Sequence, residues 1–352
     1  MSFEKRFAIG LMSGTSLDGV DLVYVLFEKK ENYSFKIIHA KTYSYSDDWK
    51  QKLQHAFNQS EEKINQLDIE YGVYLGGLIN VFIADFQIDN IEFVASHGHT
   101  IFHKPEDGIT LQIGNGEVIS KITNQKVICD FRTQDVKLGG QGAPLVPIGD
   151  QLLFSEYEYC LNLGGFANIS FDTDDKRIAF DICPVNIVMN HYVQKIGLEY
   201  DDKGLLASEG KINHQLLKEL NNLPFYIDDK PKSLGYEFVV DEIFPLIDKY
   251  NLSETTILRT FIEHVVIQIS NKIKSNGKLL ITGGGTFNVF LIAELRKRIS
   301  NQIILPKEEI IDFKEALIFA FLGLLRVDNQ VNCLKSVTGA KKDHSSGQIC
   351  VP

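Results

Sequence analysis

The chain has 352 residues, is 44% hydrophobic and 23% charged, and carries a formal net charge of -10. That length suits about two domains of ~150 residues, each with its own core. The acidic balance, with no dense Lys/Arg run to offset it, argues against nucleic acid or an anionic membrane surface as partner.

Five scattered cysteines (Cys129, Cys160, Cys183, Cys333 and Cys350) lack C-x-x-C spacing and read as reduced thiols. The apolar run at 7–12 is too short for a signal peptide, and the longest apolar stretch, 316–325, falls short of the ~20 residues that span a bilayer. A cytoplasmic protein is expected.

Residues 7–27, FAIGLMSGTSLDGVDLVYVLF, predict a strand, a tight turn and a second strand, with Gly14 and Gly19 placed for positive φ. From Gly14 through Thr15, Ser16, Leu17, Asp18, Gly19 and Val20 to Asp21, small residues leave backbone N–H groups and hydroxyls aimed at one spot, which suits a phosphate. An ordinary hairpin is the alternative. A third strand is predicted at 35–43, then helices at 49–57 and 63–84, the latter interrupted by Gly72, Gly76 and Gly77.

Strands at 93–96, 110–113 and 126–131 each run into a polar or Gly-rich loop: His97 to Thr100, Gly114 to Gly116, and Arg132 to Asp135. In α/β sheets ligands sit at strand C-termini, so these loops are pocket candidates. His97, His99 and His103 would share one face of an extended strand. Gly98 and Pro105 favour a loop instead, so hydrogen bonding is expected of these histidines and no metal is assigned to them.

Residues 137–147, KLGGQGAPLVP, break the pattern and are the candidate crossing between domains 1–135 and 136–352. A hinge, a close approach to ligand and a plain linker all remain open there. The opening pattern then returns: YCLNLGG (159–165, ending in Gly164 and Gly165), ANISF (167–171) and RIAFDI (177–182). That repetition implies an internal duplication, with two phosphate loops facing each other across a cleft. Asp181, at the end of the last of these strands, suits a general base or a ligand to metal-bound water; capping the helix that begins near Asn186 is the alternative.

Further on, a strand at 278–281 meets the loop Gly283, Gly284, Gly285 and a helix at 287–299, an arrangement that lets a nucleotide approach the backbone. Residues 314–326 read as a buried helix with Glu315 at its start, as cap or site residue. The tail, 336–352, carries turn chemistry and no strong signal.

Eight stretches in order carry a resemblance: GLMSGTSLDGVD (10–21), SHGHT (96–100), CDFRTQDVKLGGQGAPLVP (129–147), LNLGGFANIS (161–170), FDICPVN (180–186), PKSLGYEF (231–238), ITGGGTFN (281–288) and KEALIFAFL (314–322). The chain resembles the anhydro-N-acetylmuramic acid kinases of the sugar kinase/heat-shock protein 70/actin superfamily. The resemblance implies an α/β fold of two duplicated ribonuclease H-like (actin-like ATPase) domains around a central nucleotide and substrate cleft. It also implies ATP and Mg²⁺, an amino-sugar substrate and a homodimer.

By that resemblance the enzyme opens the 1,6-anhydro bridge of anhydro-N-acetylmuramic acid and phosphorylates O6, in cell-wall recycling. Gly14 to Asp21, with Gly164, Gly165 and Gly283 to Gly285, would take the nucleotide. Asp181 would activate the attacking water and Glu315 would be a second carboxylate near the sugar. His97, Arg132, Asp135 and Asn186 would line the sugar pocket, with Arg132 meeting the lactyl carboxylate.

The family more often has SHGQT and FDTGPGN. Ile182, Cys183 and Val185 therefore replace small residues beside the base, which predicts a change in substrate fit rather than in reaction class. A kinase for another amino sugar and a catalytically silent nucleotide switch are the rival readings.

Overall fold

The computed structural model describes residues 5–14, 17–174, 176–227 and 232–352. The chain divides into two compact units, Met1–Leu153 with Phe313–Pro352, and Phe154–Asp312. This differs from the crossing expected at 135/136. The Gly/Pro stretch 137–147 stays within the first unit, and the C-terminal forty residues return to it, a long-range closure that local turn chemistry does not reveal.

In the first unit β1 (Lys5–Ser13), β2 (Gly19–Lys29) and β3 (Tyr33–Ser44) form an antiparallel meander. Next come β4 (Phe93–Ser96), a separate hairpin of β5 (His99–Lys104) and β6 (Ile109–Ile113), and β7 (Val127–Cys129). β4 runs parallel to β1, and β7 parallel to β4. In the second unit β8 (Tyr159–Leu163), β9 (Phe166–Thr173) and β10 (Lys176–Pro184) repeat the meander. β11 (Leu279–Thr282) and β12 (Ile303–Ile304) extend it in parallel.

The second sheet is ordered β10-β9-β8-β11-β12. The first is ordered β3-β2-β1-β4-β7 and gains β13 (Gln348–Cys350) as an antiparallel edge. Both sheets thus share one order and one set of strand directions, the ribonuclease H-like topology expected of a duplicated chain. The tail, which showed no strand signal, supplies β13 because three residues at a sheet edge carry too little pattern to read.

The helix Glu61–Asp85 lays Ile64, Leu67, Tyr71, Leu75, Ile79 and Phe82 into the first core, beside Ile9, Leu11 and Leu22. It is long and apolar enough to cross a membrane by length and composition. The spacing of its buried residues, however, is that of one face packed on a sheet. Its glycines do not interrupt it. A Cβ on Gly72 would lie 3.1 Å from the Asn115 backbone and one on Gly76 2.9 Å from Ile122, so both let the helix Gly116–Thr123 pack close.

The helix Glu308–Val327 covers the other face of the sheet, and glycine sets the approach at both ends. A Cβ on Gly10 of β1 would stand 2.1 Å from the Ala316 carbonyl oxygen, and one on Gly323 2.8 Å from Ala95. In the second unit the helix Glu254–Lys272 fills the core with Phe261, Val265 and Ile269 against Leu161, Ile169 and Ile281.

Candidate active site

In the first unit the turn between β1 and β2 holds the candidate phosphate loop. Thr15 and Ser16 lie outside the described residues. Leu17, not Gly19, takes the left-handed conformation (φ 60°), and its N–H reaches the Gly14 carbonyl at 3.4 Å. Gly19 is needed for another reason: a Cβ there would lie 2.5 Å from the Tyr43 carbonyl oxygen of β3. Val20 is fully buried, and Gly19, Val20 and Asp21 pair within the sheet. Of the described loop residues, Gly14, Leu17 and Asp18 lie outside the strand pairing, fewer than the sequence reading. Asp18 is exposed, and Asp21 accepts a hydrogen bond from Thr42 Oγ1 at 2.6 Å.

Glu315, next to Ala316, feels the charges of Arg132 and Asp21. Glu315 stands well inside the helix Glu308–Val327, so the capping reading fails; the helix begins earlier than its apolar face suggests. Desolvation by the surrounding protein raises its carboxyl above the ordinary range and Asp21 adds to this, while Arg132 and Lys314 oppose it. The side chain stays open to solvent, which screens these effects.

His97 is 5% exposed, and burial followed by the Arg132 charge pushes its imidazole down to about 3. It is neutral at any working pH. Nδ1 pairs with the Gly98 carbonyl at 2.9 Å, which leaves the Nε2 lone pair to accept from Arg132 Nε at 3.0 Å and Nη2 at 2.9 Å. Arg132 Nη1 donates to the Gly142 carbonyl at 2.8 Å. The guanidinium is held by these contacts with N–H groups to spare, the arrangement a carboxylate-binding arginine needs. Both ring nitrogens of His97 are thus engaged by the chain itself.

Asp135, expected to line the sugar pocket, is fully buried. Oδ2 accepts from Gly142 N at 2.7 Å, and Oδ1 from Thr338 Oγ1 at 2.7 Å and Cys333 Sγ at 3.1 Å. Both oxygens are turned into the protein, so Asp135 shapes the Arg132 loop rather than facing a sugar.

The three histidines diverge. His99 pairs with Ser13 Oγ at 2.9 Å and His103 with Thr110 Oγ1 at 3.1 Å, so they form no common ligand set with His97. The His99 contact belongs to a buried network that the sequence reading missed. Ser13, immediately before Gly14, joins Tyr45 at 2.6 Å and Tyr71 at 2.9 Å, and the two tyrosine hydroxyls meet each other. Burial lowers His99 to about 4 and raises Tyr45 to about 12, so the network stays uncharged. Its members lie far apart in sequence, and only the polar signal at Ser13 hinted at it.

In the second unit Gly164, Gly165, Gly284 and Asn186 come together. Gly165 O accepts from Val185 N at 2.7 Å, Gly164 O accepts from Asn186 N at 3.3 Å, and Asn186 Nδ2 reaches Leu163 O at 3.4 Å. A Cβ on Gly165 or Gly284 would meet nothing nearer than 3.8 Å, so packing leaves room for a ligand over both. Gly283 (φ 83°) would clash with Asn162 and Leu163, and Gly285 with Leu163, so these two are required by the fold. The Gly triplet does not open the helix directly. A 3₁₀ turn, Gly284–Phe287, intervenes, and Asn288 caps the helix Val289–Arg298 through Leu291 N at 2.9 Å.

Asp181 lies within β10, which runs on to Pro184, at a register irregularity opposite Asn168 of β9. Its N–H donates to Lys232 O at 2.9 Å, and its Oδ2 accepts from Leu234 N at 2.8 Å. Beside it is a small hollow lined by Phe180, Ile182, Phe225, Tyr226, Lys232 and Lys272. Burial raises the Asp181 carboxyl above its ordinary range and the Leu234 N–H partly offsets this. One oxygen is thus fixed and the group is more basic than a free aspartate, as a general base requires.

Ile182, Cys183 and Val185 are almost completely buried in the second core. Val185 has negative φ (−133°), so glycine is not required there.

The family model described as anhydro-N-acetylmuramic acid kinase matches residues 6–352. The anhydro-N-acetylmuramic acid kinase of Clostridioides difficile (strain 630) is 35% identical over 376 residues, covering 97% of this chain and 98% of that protein. That of Hydrogenovibrio crunogenus is 35% identical over 373 residues, covering 99% of both. That of Haemophilus influenzae is 31% identical over 381 residues, again covering 99% of both. With a match that runs the length of the chain, this protein belongs to the anhydro-N-acetylmuramic acid kinase family.

Proposed function

We propose that this chain hydrolyses the 1,6-anhydro bond of anhydro-N-acetylmuramic acid and phosphorylates O6, giving N-acetylmuramic acid 6-phosphate and ADP for reuse of cell-wall amino sugars. Asp181 carries the reading: a carboxylate near the end of a strand, with one oxygen tied to Leu234 N–H and a pKa raised by burial. Asp181 takes a proton from water as its oxygen bonds to C1; the C1–O6 bond breaks, and O6 bonds to the γ-phosphorus as ADP leaves. Arg132, aimed by His97 and Gly142, binds the lactyl carboxylate.

Gly14 to Asp18 in the first unit, and Gly164, Gly165 and Gly284 in the second, contact the nucleotide. Asp21 and Glu315, whose charges act on each other, would offer Mg²⁺ carboxylate oxygens, the hard donors that this ion takes. Mg²⁺ neutralises phosphate charge when bound. Asn186 is retained as a sugar-pocket residue, and a homodimer is expected.

Turnover in ¹⁸O-water tests the chemistry. Label is expected on C1 and none in the transferred phosphate; label in the phosphate would mean simple ATP hydrolysis. In the pH profile, kcat/KM falls in acid as Asp181 takes up its proton, and its raised pKa moves that limb above an ordinary aspartate's. His97, already neutral, adds no limb near neutrality. His97→Ala releases two donors of Arg132 and is expected to raise the KM for the sugar roughly tenfold with kcat less affected. An unchanged KM would mean that Arg132 does not bind the sugar.

A further inference from the structure

A second cluster in the first unit lies outside this chemistry. Asp135, Cys333 and His344 come from two distant segments, and all three are at least nine-tenths buried, with relative exposures of 0%, 1% and 5%. Asp135 Oδ1, Cys333 Sγ and His344 Nε2 lie within 4.8 Å of one another. Cys333 and His344 are held opposite each other by an antiparallel bridge, each N–H donating to the other's carbonyl at 3.1 Å. Asp135 is fixed through Oδ2 by Gly142 N–H at 2.7 Å.

The hydrogen bonding around His344 leaves a nitrogen lone pair available to a cation. Nδ1 pairs with the Lys342 carbonyl at 3.1 Å, so in the neutral ring Nδ1 carries the proton and Nε2 presents a lone pair. That lone pair is buried without a hydrogen-bond partner, and it stands 3.6 Å from Asp135 Oδ1, itself an acceptor. Two acceptors facing each other in a dry site repel unless a positive charge joins them. A histidine whose other nitrogen donates to a backbone carbonyl is also oriented as metal ligands commonly are.

We propose that Asp135 Oδ1, Cys333 Sγ and His344 Nε2 bind one Zn²⁺ that ties the C-terminal tail to the Arg132 loop. Tetrahedral zinc with S, N and O ligands needs ligand separations of about 3.3–3.5 Å. The Sγ to Oδ1 distance of 3.1 Å and the Nε2 to Oδ1 distance of 3.6 Å are each close to that. Thr338 Oγ1 donates to the same carboxylate oxygen at 2.7 Å and orients it.

Charge balances as well. Zn²⁺ displaces the thiol proton, which goes to solvent, and the dication with one thiolate and one carboxylate is neutral in a buried site. Arg132 acts on Cys333 from nearby, but its charge is answered by Glu315. The mixed sulfur, nitrogen and oxygen set selects zinc over Mg²⁺ or Ca²⁺.

The test is the zinc content of the full-length protein, purified from zinc-supplemented cells and dialysed against metal-free buffer. One zinc per chain is expected, with loss of that zinc in both Cys333→Ser and His344→Gln. Both variants keep a polar group at the position, and a thermal melt checks that each is folded. Co²⁺ added to the metal-free wild type should give a thiolate-to-cobalt charge-transfer band that Cys333→Ser lacks. No retained zinc and no cobalt band in the wild type would overturn the proposal. So would equal zinc in wild type and Cys333→Ser, which would place the metal on other thiols such as Cys129 and Cys350. None of these readouts depends on kinase activity.

Discussion

Asp181→Asn is expected to lower kcat by roughly 10³-fold, within the 10²–10⁴ range of general base catalysis, while ATP binds almost as before. The amide is close in shape to the carboxylate and still offers an oxygen to Leu234 N–H, so the strand and its loop should stay in place. What is lost is the ability to take a proton from water. Because burial makes Asp181 more basic than a free aspartate, the loss is larger than removal of an ordinary surface carboxylate would give. Steady-state kinetics together with ATP titration separate the two effects. Near-normal turnover in the variant would remove Asp181 from the role of base.

Gly10→Ala carries the largest expected effect on stability. The added Cβ would lie 2.1 Å from a backbone oxygen, that of Ala316, and 2.9 Å from the Ala320 side chain. A carbonyl inside a helix cannot rotate away, so the whole helix Glu308–Val327 must shift from the sheet. Overpacking of this kind costs about 3 kcal/mol, the upper part of its usual range. Glu315, next to Ala316, would move with the helix, so activity should fall even where the variant remains folded. Thermal denaturation and kinetics of the same preparation test both consequences. A melting temperature equal to wild type would show that the helix does not approach β1 this closely.

The fold was legible where the sequence repeats itself. Two apolar runs joined by Gly turns, at 7–27 and 159–182, announce two meanders, and both sheets have the same strand order. What stayed hidden depends on contacts between distant segments. β13 is three residues at a sheet edge, and the return of 313–352 to the first unit leaves no local mark.

The same distinction holds for the site. The sequence placed Asp181 at the end of a strand, and the structure sets it within β10 with Oδ2 on Leu234 N–H. Asp135 looked similar beside Arg132, yet its partners Cys333 and Thr338 lie some two hundred residues away and absorb both its exposure and its hydrogen-bonding capacity. The His97 environment could not be read either, because the acceptor it offers serves Arg132 from another loop. Gly19 was singled out correctly for the wrong reason: strand crowding, rather than positive φ, requires it.

The central claim is tested most directly by ADP release from the purified chain with Mg-ATP, in the presence and absence of anhydro-N-acetylmuramic acid. Release that depends on the anhydro sugar, with a 6-phosphate as product, is the result predicted. Release that is the same without sugar, or that ordinary N-acetylmuramic acid drives instead, would contradict it.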